Sequence, residues 1–171
     1  MCSSDLVPEN SDHGRNLGVE LEARTSLGRL TPALRRFSVN ANASVISSKL
    51  TLKKQITRTG STEHPLQGQA AYLLNTALSY AIVENRADLS LLFSASGKRL
   101  RSLGMYPLPD MYEQPFQTFD GALSLAPRKG VRMKLGFKNL FDGERQVLQA
   151  GKEVSGYRSG RSYSFALSWG S

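Results

Sequence analysis

Gly160-Arg161-Ser162-Tyr163-Ser164-Phe165-Ala166-Leu167-Ser168-Trp169 places a bulky side chain at every second position and a small or polar one between. Tyr163, Phe165, Leu167 and Trp169 therefore share one face of an extended strand, and Ser162, Ser164, Ala166 and Ser168 share the other. Such a strand suits lipid on one side and a watery lumen on the other. A strand of a soluble sandwich alternates in the same way, so this stretch alone leaves both readings open.

Working backwards along the chain, the same period recurs about seven times, with little that is helical. Residues 16–27 set Leu17, Val19, Leu21, Ala23 and Thr25 against Gly18, Glu20, Glu22, Arg24 and Ser26. Phe37, Val39, Ala41, Ala43 and Val45 alternate with Ser38, Asn40, Asn42 and Ser44, and asparagines at alternate positions suit a wet lumen better than a dry core. Residues 72–82 alternate large with small, which favours a strand over the rival buried helix that Leu73, Ala77 and Tyr80 would allow. Further faces follow at Leu89, Leu91, Phe93 and Ala95, at Phe119, Gly121, Leu123 and Leu125, and at Val131, Met133, Leu135 and Phe137. Opposite the last of these stand Arg132, Lys134, Gly136 and Lys138.

The connections alternate too: short at Gly28–Pro32, long over residues 50–69, short at residues 84–86, long over residues 102–115, short at residues 127–130, and long over residues 142–157. One end of the sheet should hold tight turns and the other long loops, as in outer-membrane barrels. If the chain ends in the periplasm, every tight turn falls on the periplasmic side.

Composition narrows the function. The chain of 171 residues carries 22 Lys and Arg against 14 Asp and Glu, a formal net charge of +8. These cations are scattered among turns and alternating positions, whereas a nucleic-acid site needs a concentrated patch; no nucleic-acid partner is expected. No run of 18 apolar residues exists, so no transmembrane helix is expected, which leaves barrel strands untouched. Cys2 is the only cysteine, and His13 and His64 have no ligand partner at metal-binding spacing, so no disulfide, metal or cofactor is expected. No enzyme is expected either. Ser159 in Gly156-Tyr157-Arg158-Ser159-Gly160 stands one position late for a nucleophile elbow, Gly97-Lys98-Arg99 lacks the rest of a phosphate loop, and Asp110 and Glu113 read as exposed acids in a mobile, proline-flanked connection.

Met1-Cys2-Ser3-Ser4-Asp5-Leu6 lacks the basic region and apolar run of a signal peptide and looks like a translated sequencing-adapter tail. Residues 1–6 are expected to be non-native, with native sequence from about Val7 and an upstream part of the gene outside this chain.

Several motifs together resemble the C-terminal barrel region of TonB-dependent outer-membrane receptors. Asn139-Leu140-Phe141-Asp142 matches the signature that ends the penultimate strand in that family. Residues 17–23, Pro65-Leu66-Gln67-Gly68-Gln69, residues 109–115 and the terminal strand from Gly160 through Tyr163, Phe165, Leu167 and Trp169 match in the same order. The departure is Gly170-Ser171 after the final aromatic, where outer-membrane chains often stop on the aromatic itself.

The resemblance implies an all-β, antiparallel, up-and-down transmembrane barrel of about 22 strands around an N-terminal plug. Residues 7–171 would supply about seven strands, an open curved sheet when taken alone. It further implies active uptake of a scarce ligand of the siderophore, cobalamin or oligosaccharide class. The implied partners are outer-membrane lipid, the plug of the same full-length chain, the TonB complex through the N-terminal region, and the barrel-assembly machinery that reads the last strand. A passive porin-like barrel is the alternative, and a soluble basic β-domain binding acidic polymers a more distant one. Glu20, Glu22, Arg24, Arg132, Lys134 and Lys138 are expected on the lumen face, where ordinary wetting of the wall explains them more simply than ligand contact.

Overall fold

The computed structural model describes residues 13–52, 62–104 and 107–170. Residues 1–6, expected above to be non-native, lie outside them. Alternation turns into seven long strands that pair strictly in chain order: β1 (His13–Ser26), β2 (Phe37–Thr51), β4 (Tyr72–Val83), β5 (Ala87–Ser96), β8 (Phe116–Arg128), β9 (Val131–Lys138) and β12 (Ser162–Trp169). Every pairing is antiparallel. A two-residue strand, β3 (Glu63–His64), adds to the upper part of β2. The sheet is open, because β1 pairs only with β2 and β12 only with β9.

Register decides which side chains meet. Thr25, Val39, Leu78, Leu91, Gly121, Phe137 and Tyr163 stand opposite one another in turn, so one row crosses all seven strands on a single face. The next row passes from Phe37 through Tyr80, Leu89, Leu123 and Leu135 to Phe165. Between them, on the other face, run Ser26, Ser38, Ser79, Ser90, Ala122, Gly136 and Ser164. A slip of one residue at any pairing would turn a whole strand over, and none occurs within these rows. Aromatic pairs reinforce the apolar side, with Phe37 stacked on Tyr80 at 4.5 Å and Phe137 edge-on to Tyr163 at 6.2 Å.

The connections alternate between the two ends of the sheet. At one end lie residues 84–86, with Asn85 at φ 59°, and the turn at Gly130, with φ 78°. Residues 27–36 also lie there, longer than the tight turn expected because they form two single 3-10 turns, Leu27–Arg29 and Pro32–Leu34. Ser26 Oγ accepts from Gly28 N at 3.3 Å, and Pro32 with its fixed φ starts the second turn.

The long connections at the other end are not plain loops, and here the sequence reading needs correction. They form a second antiparallel sheet of β6 (Arg99–Ser102), β7 (Met111–Glu113), β10 (Glu144–Gln149) and β11 (Lys152–Arg158), in the order β11-β10-β7-β6. This order repeats that of β12, β9, β8 and β5, so each short strand continues a wall strand across a break. Register carries through the first break, since Ser96 opposite Phe116 and Arg99 opposite Glu113 keep one offset. Gly97 is required there: a Cβ on it would sit 2.7 Å from the ring of Tyr72. Residues 142–157, read as a loop, contain the β10–β11 hairpin, closed by Ala150 and Gly151 at φ 52° and 76°.

Burial is uneven. Among the described residues Leu52, Ala70, Leu100 and Phe116 are buried at the long-connection end, with the polar His64, Glu113 and Gln149, whereas Ala87 is the single buried apolar residue at the other. Leu21, Val45, Tyr163 and Trp169, by contrast, keep between 66% and 80% of their surface exposed. The wall has a contiguous apolar face on which nothing packs among the described residues.

Candidate functional site

Each expected lumen residue lies on the polar face, but in two separated sets. Glu20, Glu22 and Arg24 sit on β1 at one edge, while Arg132, Lys134 and Lys138 sit on β9 near the other. The first set enters an amide relay: Asn42 Nδ2 donates to Glu20 Oε1 at 3.2 Å, and Asn75 Nδ2 donates to Asn42 Oδ1 at 2.9 Å. Arg132 and Lys134 border a hollow at the tight-turn end shared with Arg86 and Asp88. The structure thus does not gather the six into one site. Tyr163, Phe165, Leu167 and Trp169 share the apolar face, opposite Phe137, Leu135, Met133 and Val131.

Asn139-Leu140-Phe141-Asp142 forms a latch at the break between β9 and β10. Asn139 and Asp142 adopt left-handed backbone, φ 54° and 49°, a conformation short polar side chains tolerate best. Asn139 N donates to Asp120 Oδ1 at 2.8 Å on β8, and Asn139 Nδ2 donates to Gly160 O at 2.8 Å just before β12. Leu140 N donates to Phe119 O, and Arg161 Nε donates to Leu140 O. Phe141 stacks on Phe119 at 5.5 Å and meets Phe93 edge-on at 6.5 Å. The motif therefore ties three neighbouring strands. Asn139→Val removes the side-chain bond and strains the left-handed backbone, whereas Asn139→Gly keeps the backbone freedom. We expect Val to cost about 1–3 kcal/mol more than Gly, read as the difference in unfolding midpoint between the two variants.

Above the latch, the second sheet concentrates charge. Arg99 and Glu113 face each other across β6 and β7, and Arg99 donates from Nε and Nη2 to both carboxylate oxygens at 2.7–3.0 Å. Arg145 Nη1 donates to Glu113 Oε1 at 3.1 Å, and its guanidinium lies 3.8 Å from the centre of the Phe116 ring. The hydrogen bonds from Arg99 hold the Glu113 carboxyl below its ordinary pKa, against the opposing effect of burial, and Arg145 adds to the lowering. Next to it, Lys98 sits 4.1 Å over the ring of Tyr112, whose hydroxyl is pushed up by burial and by the nearby Asp110.

Asp110 and Glu113, read from sequence as exposed acids in one mobile connection, are neither exposed nor a pair. Asp110 Oδ2 lies 2.7 Å from His64 Nδ1, and its Oδ1 accepts from Gly104 N at 2.9 Å. Gln149 Nε2 donates to Pro109 O at 2.8 Å and fastens the β10–β11 hairpin to the same segment. The prolines shape a connection that His64 and Gln149 then clamp. Arg99 and Arg145 are the residues that sequence reasoning missed, because each pairs with a carboxylate far along the chain inside strands too short to alternate.

Beside this cluster is a groove of about 430 Å³ bordered by Arg99, Arg101, Arg145, Met111, Val154 and Tyr157. Among the described residues no group of three or more His, Cys, Asp or Glu side chains could hold a metal. The carboxylate at the centre is already engaged with two guanidiniums, so the arrangement is suited to recognition rather than proton transfer.

The sequential antiparallel wall, with its continuation above a latched break, defines the class of architecture: an open, up-and-down, all-β sheet of the kind that walls large β-barrels. The particular likeness is to the crystal structure of the siderophore receptor PiuA from Acinetobacter baumannii, with a TM-score of 0.68 and 16% identity over 91% of this chain and 22% of that one. At that identity the likeness is one of fold, and the chain spans about a fifth of that receptor's length. The all-β, antiparallel barrel-wall fold expected from the motifs is borne out at that level. No family model and no curated protein matches the sequence.

Proposed function

We propose that this chain is a sector of the wall of an outer-membrane receptor that takes up a scarce ligand by TonB-dependent transport. The carrying observation is the apolar face that runs across seven strands with nothing among the described residues packed on it, while the polar face carries serine, asparagine and charge. An apolar face of this extent needs an apolar solvent. In lipid, the unpaired edges of β1 and β12 are costly, so the sheet is completed by further strands into a closed barrel. Residues 7–171 then form the C-terminal part of that wall. The tight turns and the C-terminus face the periplasm, the second sheet faces the outside, and plug, TonB complex and assembly machinery are the partners. The likeness to a siderophore receptor supports a transport role over an enzymatic one.

Paired cysteine variants at Ser164 and Phe165 in the full-length receptor test the two faces. A cysteine at 165 is expected to react with a lipid-soluble probe and one at 164 with a water-soluble probe; equal reactivity of both with the aqueous probe would sink the membrane reading. Uptake that persists after the inner membrane is de-energised would favour the passive porin-like alternative.

A further inference from the structure

We propose that the groove beside the Arg99–Glu113–Arg145 cluster binds an amphiphilic anion, a carboxylate or phosphate ester carried on an aromatic or aliphatic body. Charge is the first ground. Three guanidiniums border the groove and one carboxylate answers them: Arg99 and Arg145 share Glu113, and Arg101 has no side-chain partner among the described residues. Glu113 spends both oxygens on those arginines, which fixes their planes before a ligand arrives. Donors left over from fixed guanidinium forks suit an oxyanion, which they bind in pairs at a defined angle.

The second ground is the lining. Met111, Val147, Val154 and Tyr157 also border the groove, and Val154 and Tyr157 stay 48% and 58% exposed. Apolar surface left bare next to uncompensated positive charge matches a ligand with one charged end and one apolar end. The volume, about 430 Å³, is that of a small-molecule site. The inference leans on the preceding proposal only for placing the groove outside the hydrocarbon, since binding in detergent does not depend on membrane insertion.

The test measures equilibrium binding of 2-naphthoate, 2-naphthyl phosphate and the neutral 2-naphthamide to the detergent-solubilised full-length protein. At least one anion is expected to bind, the amide at least about tenfold more weakly, and Arg101→Gln to lose about tenfold for the anion while the second sheet keeps its hydrogen-exchange protection. Which anion binds better identifies the oxyanion. Equal affinity for the amide, an anion affinity unchanged by Arg101→Gln, or no binding of either anion would each overturn the inference. If the groove binds and the cysteine pair fails to alternate, the membrane reading falls and the groove stands; the reverse pattern separates them equally well.

Discussion

Leu135→Arg in the full-length protein is expected, on the proposed membrane reading, to remove most of the assembled, heat-modifiable barrel, whereas Lys134→Leu one residue away leaves it largely intact. Leu135 stands mid-strand on β9 between Leu123 and Phe165, on the apolar face. A cation near the midplane of a lipid-facing strand costs roughly 2–4 kcal/mol. Lys134 lies between Ser124 and Ala166 on the polar face, where loss of its charge leaves no apolar partner without lipid. Gel mobility before and after heating reads both variants. Equal tolerance of the two would point to the soluble basic β-domain.

Glu113→Ala is expected to loosen the second sheet by about 1–3 kcal/mol while leaving the wall folded, because two guanidiniums lose their shared acceptor. Hydrogen exchange resolved along the chain would show faster exchange in β6, β7 and β10 and little change in β5 or β8. The same group sets a pH dependence. Its folded pKa is below its unfolded one, so the stabilisation is complete above the unfolded value and is lost as pH falls through the folded value. Glu113→Gln should flatten this acid-side loss. An unchanged acid profile in that variant would assign the loss to another carboxylate.

The wall was legible in the sequence because its two faces differ. Where one face is apolar and the other polar, side chains alternate, and the seven long strands announce themselves. The second sheet has no such contrast. Arg99-Leu100-Arg101-Ser102 alternates over only four residues and Glu144-Arg145-Gln146 is polar at every position, and strands of three to seven residues are too short for a period to stand out. The charged cluster was invisible for a related reason: Arg99, Glu113 and Arg145 are brought together only by strand pairing. Asn139-Leu140-Phe141-Asp142 could be recognised as a motif, but its work as a three-strand tie became apparent only with the bonds to Asp120, Gly160 and Phe119 in place.

The strictly sequential strand order carries a kinetic consequence. Each wall strand pairs with the wall strand before it in the chain, so every step of sheet growth closes one local connection, short or long, and a doubling of loop length adds only about 0.6 kcal/mol of closure entropy. Growth can therefore proceed hairpin by hairpin from the β9–β12 pair, with each new strand templated by the last. In the closed barrel proposed above, the pairing at the seam spans the greatest sequence separation, and that slow step is where assembly would need help.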